Sequence, residues 1–352
     1  MQTGLDSFLE CRPDQGKLVR LKGVSAPDTG PPWVAVLRQA CLIGPLTVYA
    51  APGSRLHALN LEDGTVIADF ASGPKFAPAW DSFRQEAVSV RRGSYLALHN
   101  YRSYNFWHWT MESLIKLMEA EMAGFTGKLI VPASLPQNRF VAESLDLLGI
   151  APERILPYDG KAWWVEELFV PRPIDGYSRL RWYPGLFFRL RRRLLAGADV
   201  SGPPLRLYIS RSRADEGRRI INEDELVGML ENFGFQTVIM ENLPLHGQIS
   251  LAARAGCLIG PHGAGMTHSF FMPRASLVLE LFPQQYVNPC ILPVADLLGH
   301  RYFMYPSANF KDDGKNDIEA LVYAVELTLR RELSGARLRR ADFSGRFCRA
   351  VG

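Results

Sequence analysis

From Ser94 to Pro306 the chain alternates short β-forming apolar runs with stretches of helical periodicity, and this alternation limits the possible folds more than any other feature. SYLALH, GKLIVP, LRLYISR, QTVIM, CLIG, SLVLELF and RYFMYP read as buried strands. Helical patterns fall between them, near residues 106–122, 138–148, 222–233, 245–255 and 289–298. Strand–helix–strand order of this kind builds parallel sheets with helices packed on their faces. A length of 352 residues favours more than one such unit.

The break between units falls at SGPP (Ser201–Pro204), which cannot continue the basic amphipathic helix expected within residues 179–197. The expected layout has a β-rich N-terminal region at 1–90 and a first α/β domain at 91–200. A second, doubly wound α/β domain follows at 205–310, and a last helix and basic tail at 315–352 are placed to fold back on the N-terminal domain. In the second domain Asn222 is the expected helix cap, with Glu225 completing a capping box.

Bulk properties remove several function classes. A net charge of +4 is too small to argue for a nucleic-acid partner. No apolar run approaches the roughly 20 residues that span a bilayer, and the stretch Met1–Glu10 lacks the features of a signal peptide. The five cysteines are widely spaced and form no CxxC, against a disulfide framework or a zinc site. These observations give the expectation of a reduced, cytoplasmic protein with no cofactor. The arginines near 189–193 have two readings: a solvated helix face, or peripheral contact with anionic lipid on the inner face of a membrane.

Chemistry concentrates in a few segments. GPHGAGMTH (Gly260–His268) sits where a strand ends and a helix begins. Gly263 and Gly265 allow close backbone approach, and the N–H groups of the following helix favour a phosphate near His262 and Ala264. It is not the dinucleotide fingerprint, because the third glycine of GxGxxG is missing. Arg211 ends the first strand of the same domain, with Arg213, Arg218 and Arg219 nearby, and guanidinium groups clamp diphosphates well. Glu280 interrupts the apolar run SLVLELF. A carboxylate there is either a buried partner of a cation or an acceptor for ribose hydroxyls, and the strand-end position favours ribose. In the first domain His108 and Glu112 lie one helical turn apart, among Tyr104, Trp107 and Trp109. Such a pair suits proton transfer beside aromatic rings that stack on a sugar. It equally suits a core histidine tied to a glutamate.

Taken in order, NFWHWTMESL (Asn105–Leu114), YISR (Tyr208–Arg211) with RRIINEDEL (Arg218–Leu226), GPHGAGMTH and LVLELFP (Leu277–Pro283) resemble glycosyltransferase family 61 across roughly Tyr95–Pro306. The resemblance implies a GT-B-like architecture of two facing Rossmann-like domains. It also implies an inverting transfer from a nucleotide sugar, commonly a UDP-sugar, to a glycan or lipid-linked hydroxyl acceptor, as in bacterial surface polysaccharide synthesis. By position it places Arg211, Arg218, His262, Gly263, Ala264, Gly265 and Glu280 around the donor. His108 and Glu112 then face the donor as catalytic candidates, with the choice of base between them open. No Asp-x-Asp occurs in the chain, so a metal-independent reaction is expected. The competing readings are a non-catalytic nucleotide- or glycan-binding relative and a nucleotide-sugar hydrolase on the same scaffold.

Overall fold

The computed structural model describes residues 89–98, 103–159, 161, 163–171, 183–213, 217–307 and 317–334, with the strand segments 16–20, 33–43, 47–49, 60–61 and 65–66. Five strands lead in: β1 (Gly16–Arg20), β2 (Trp33–Ile43), β3 (Thr47–Tyr49), β4 (Asn60–Leu61) and β5 (Thr65–Val66). The first α/β part comprises β6 (Ser89–Ala97), α1 (Phe106–His108), α2 (Leu114–Met122), β7 (Lys128–Pro132), α3 (Arg139–Leu147), β8 (Ile155–Tyr158), β9 (Trp163–Pro171) and α4 (Pro184–Leu194). The second comprises β10 (Leu205–Ile209), α5 (Glu223–Glu231), β11 (Gln236–Val238), α6 (Leu245–Arg254), β12 (Ala255–Pro261), a 3-10 helix (Ala264–Phe271), β13 (Leu277–Phe282), α7 (Leu292–Leu298), β14 (Arg301–Pro306) and α8 (Val322–Ser334).

The fold is the expected two-sheet α/β architecture. In the first sheet the order is β1-β2-β9-β6-β7-β8, with β3 beside β2. Strands β6 to β9 run parallel, whereas β2 pairs antiparallel with β9 and β1 antiparallel with β2. The described N-terminal strands β1 to β3 therefore extend the first sheet and do not form a layer of their own. The chain moves outward from β6 through β7 to β8, then returns to the other flank of β6 as β9. The crevice between β6 and β9 is thus a topological switch point.

The second sheet is parallel throughout, in the order β11-β10-β12-β13-β14. Its switch point lies between β10 and β12. Alternation along β10 sorts the two faces: Leu205, Leu207 and Ile209 join one core, Tyr208 the other. On the Tyr208 face, α5 supplies Leu226 and Leu230, and α8 supplies Val325 and Leu329. The C-terminal helix consequently packs on the second sheet, beside α5, and not back on the N-terminal part as its length suggested. Arg301 to Glu332 at 2.6 Å ties it to β14.

Asn222 does not cap α5 either. Its side chain accepts from Ala320 N at 2.8 Å and donates to Ala320 O at 3.1 Å, docking the segment before α8, and it meets Glu225 side chain to side chain, donating to Oε2 at 3.1 Å.

Helix α4 joins the two parts. Leu186, Phe187, Leu190 and Leu194 are buried, and the Phe187 ring meets Phe270 edge-on at 4.8 Å in a core shared by both sheets. Two of its arginines, Arg191 and Arg193, are engaged with protein. Arg191 donates to the carbonyls of Phe270, Phe271 and Met272 at 2.8, 3.2 and 2.6 Å, capping the 3-10 helix. Arg193 donates to Leu148 O at 2.6 Å and pairs with Glu121. The lipid reading of this helix loses most of its charge to these contacts, since Arg192 is exposed but Arg191 and Arg193 are not.

Candidate active site

Each sheet carries chemistry at the carboxyl end of its switch point. In the first, the chain leaves β6 and enters α1, where Asn105 Oδ1 caps the helix by accepting from Trp107 N at 2.9 Å. The helix expected over 106–122 is continuous but not uniform, because Trp109–Ser113 forms a π-turn between α1 and α2. Such turns cost regularity and recur at functional sites. His108 Nδ1 lies 2.8 Å from Glu112 Oε1 across this turn, with both residues buried. A carboxylate only accepts, so the shared proton belongs to Nδ1 and the ring is held in one orientation.

Behind the pair, Lys116 and Glu119 continue the same helical stripe. Burial pulls the Lys116 ammonium down, while Glu112 and then Glu119 hold it up. Two of the aromatic rings expected to stack on a sugar are core residues. Trp109 is fully buried with its indole N–H on Ser144 Oγ at 2.8 Å, and Trp107 is buried beside it. The hydrophobic face of an amphipathic helix claims both, and Tyr104 alone of the three is exposed.

In the second sheet, Arg211 follows β10 and Gly263 follows β12. The Arg211 guanidinium lies against Gly263 with Nη1 nearest: a Cβ built there would stand 2.5 Å from that atom. Glycine is required because any side chain would displace the cation. Gly265 is closed in by Ile209, whose Cγ2 would be 3.1 Å from a Cβ. The first internal bond of the 3-10 helix runs from Met266 N to Gly263 O at 3.0 Å. The N–H groups of Ala264 and Gly265 precede that ladder, which is the arrangement that receives an anion.

His262 stands beside this turn, buried, with Nδ1 2.7 Å from Glu280 Oε1 and its ring stacked on Phe282 at 4.8 Å. The other oxygen of Glu280 accepts from Tyr302 Oη at 2.5 Å. Burial and then Glu280 push the Tyr302 hydroxyl far up, so it remains a donor. Glu280 is fully buried with both oxygens committed. It therefore orients His262 and presents nothing to a ribose, contrary to the sequence expectation. It is buried, as the alternative reading required, but its partners are a histidine and a tyrosine and not the cation that reading supposed. The charge of Arg218 is felt at this wall. Burial and Glu280 push the Cys290 thiol well up, and Arg218 pulls it down. Arg213 turns away, donating to Asn242 Oδ1 at 2.9 Å.

The two edges meet. Helix α1 packs on the 3-10 helix, with the Phe106 and His268 rings 5.3 Å apart. The structure so brings α1, which ends at His108, against the 3-10 helix that follows Gly263. Tyr302, Gln248 and His268 are participants that the sequence reading did not single out. Tyr302 sits in an ordinary strand pattern, and Gln248 in an ordinary helix. No group of His, Cys, Asp and Glu able to hold a metal occurs among the described residues.

These features define an α/β protein with a glycine turn set against an arginine at the edge of one sheet and a histidine–carboxylate pair at the edge of the other. Residues 106–279 match the Glycosyltransferase 61 family. Similar curated proteins include the EGF domain-specific O-linked N-acetylglucosamine transferase of Drosophila melanogaster, 38% identical over 94 residues, covering 26% of this chain and 18% of that protein. The Rattus norvegicus protein of the same description is 32% identical over 141 residues, covering 37% and 26%. The alpha-1,3-arabinosyltransferase XAT3 of Oryza sativa subsp. japonica is 32% identical over 115 residues, covering 29% and 18%. The matches thus span between 18% and 26% of these relatives' own lengths. Among solved structures, the E. coli heptosyltransferase WaaC with ADP shares 10% identity at a TM-score of 0.37, covering 68% of this chain and 99% of that one. That likeness is too distant to carry weight.

Proposed function

We propose that the chain is an inverting glycosyltransferase that moves a sugar from a UDP-sugar to a hydroxyl of a glycan or lipid-linked acceptor, as in surface polysaccharide synthesis, without a divalent metal. One observation carries the reading: the Arg211 guanidinium lies on Gly263 at one switch point, and the helix bearing His108 starts against the 3-10 helix that follows it. The diphosphate rests on the N–H groups of Ala264 and Gly265, with Arg211 and Arg218 offsetting its charge. His262, oriented by Glu280 through Nδ1, stands beside it and donates from Nε2 only as the imidazolium. These fixed dipoles and charges stabilise the leaving nucleoside diphosphate as negative charge develops.

The acceptor hydroxyl attacks the anomeric carbon from the face opposite the diphosphate. Its proton passes to the His108–Glu112 pair, with His108 as the base and Glu112 holding the ring and stabilising the imidazolium. The cation that a metal would otherwise contribute is supplied by arginine.

The reading is tested by thermal unfolding with UDP and UDP-N-acetylglucosamine in EDTA. Ligand at 100 times its Kd should add about 2.7 kcal/mol of stability, and UDP should be released from the donor in the same buffer. No shift with either compound would remove the donor site. Activity that disappears in EDTA and returns with Mn²⁺ would remove the metal-independent mechanism.

A further inference from the structure

The two parts are joined at a second place besides α4. Helix α6 has Pro244 at its N-cap, which offers no side-chain acceptor, and Leu245 N donates instead to Glu143 of α3 at 2.6 Å. Arg139, one turn earlier on α3, pairs with Glu143 at 3.3 Å and donates to the Leu243 carbonyl. The same carbonyl accepts from Gln248 Nε2 at 2.9 Å, and the other amide hydrogen of Gln248 goes to Met240 O at 2.9 Å.

With both hydrogens committed, the Gln248 oxygen is fixed in direction. It faces His268 Nε2 at 2.8 Å, and His268 Nδ1 lies 2.7 Å from Gly265 O, in the phosphate turn itself. The ring is buried against Phe106 at 5.3 Å and Phe271 at 6.3 Å. Burial pulls the ring down to about 4, against the upward pull of the Gly265 carbonyl. A ring carrying one proton donates to one of the two oxygens; a doubly protonated ring donates to both. Either way His268 is a post between elements, shielded from the acceptor.

We propose that Arg139, Glu143, Gln248 and His268 form a positioning relay. It fixes the Gly263–Gly265 turn against the helix carrying His108, and so sets the distance between activated sugar and base. The chain of contacts begins on α3 of the first part, crosses at Leu243 and Leu245, and ends on the carbonyl of Gly265. Its effect falls on the transfer step, because the Arg211 guanidinium and the turn's own N–H groups still hold the nucleotide. The relay rests on the donor reading above. Misplacing reacting groups by about 1 Å costs on the order of 10²-fold in rate.

Two substitutions interrupt the relay while preserving volume: Gln248→Met at a half-buried position, and His268→Phe, which keeps a ring against Phe106. Each is compared with wild type, alone and combined, for UDP affinity by calorimetry and for UDP release from UDP-N-acetylglucosamine with water as acceptor. The relay predicts kcat reduced about tenfold or more in each single variant and UDP affinity within about twofold of wild type. The double variant should be no worse than the weaker single one, since parts of one chain do not add.

Losses that add, or UDP affinity that falls in step with kcat, overturn it. A readout without ligand separates this from the donor reading. In ¹⁵N-glycine-labelled protein, Gln248→Met should move the Gly265 amide resonance, and an unmoved resonance overturns the relay. Absence of UDP binding by wild type counts against the donor reading alone, and the resonance still judges the relay.

Discussion

The two sheets hold the same device in different settings. Each sets a histidine Nδ1 against a glutamate at its switch point, at 2.8 Å for His108–Glu112 and 2.7 Å for His262–Glu280. The first pair is local, one turn apart on a helix that widens into a π-turn, with Lys116 next on the stripe. The second is assembled from neighbouring strands, 18 residues apart, with the Tyr302 hydroxyl on the far carboxylate oxygen. Glu112 therefore has a cation behind it, and Glu280 a neutral donor in a fully buried place. The first arrangement suits a ring that gains and loses a proton. The second suits a ring held still beside the phosphate turn.

The comparison breaks most visibly in turnover. His108→Ala should lower kcat by about 10²–10⁴ if the ring is the base, with UDP affinity near wild type. Glu112→Gln keeps the shape and removes the charge, and should fall in the same direction by less. Near-parent turnover in both, on protein with an unchanged unfolding midpoint, would reduce the first pair to a buried structural contact.

Acid should affect the second sheet through His300, which donates from Nε2 to Ser269 O at 3.1 Å, while Nδ1 is buried with no hydrogen-bond partner among the described residues. Burial first, then Arg191 and Arg274, pull this ring to about 4, against the upward pull of the Ser269 carbonyl. The folded value lies below the ordinary one, so the unfolded chain binds the proton first. This contribution is present above about pH 6.5 and is lost as pH falls toward 4, amounting to about 3 kcal/mol. His300→Leu should flatten the fall of the unfolding midpoint over that range. An equally steep fall in the variant would assign the acid sensitivity elsewhere.

A smaller effect sharpens the contrast from the donor side. Arg211→Ala removes a charge-assisted contact worth about 1.5–3 kcal/mol, roughly ten- to a hundredfold in UDP affinity. The acceptor side should be untouched, so kcat at saturating donor should fall less than the affinity. Unchanged affinity by calorimetry would place the nucleotide away from Gly263.

The difference between the pairs also explains what could be read in the sequence. Strand and helix order was legible because apolar runs of period 2 and period 3.6 stand clear between Ser94 and Pro306. Arg211 and GPHGAGMTH were legible because strand ends followed by glycine have few other uses in a parallel sheet. His108 and Glu112 were visible as a pair since i,i+4 spacing is a local property.

His262–Glu280–Tyr302 was not visible as a unit, because sequence does not state which strands lie side by side or in what register. The roles of Trp107 and Trp109 stayed open between sugar stacking and packing for a related reason. An aromatic near a site counts as ligand-facing or core only once the helix is rotated against its sheet, and here Ser144 fixes that rotation. Asn222 shows the same limit. A local cap was expected, but a tertiary partner at Ala320 claimed both ends of the amide.

The central claim is that the second sheet's switch point holds the diphosphate and the first sheet's pair serves the acceptor. A crystal structure of the UDP complex grown in EDTA tests it most directly. The account predicts diphosphate oxygens within hydrogen-bond distance of the Ala264 and Gly265 N–H groups and of the Arg211 guanidinium, with His108 beyond the β-phosphate on the sugar side. A diphosphate bound away from Gly263, or one lying directly on His108 and Glu112, would contradict it.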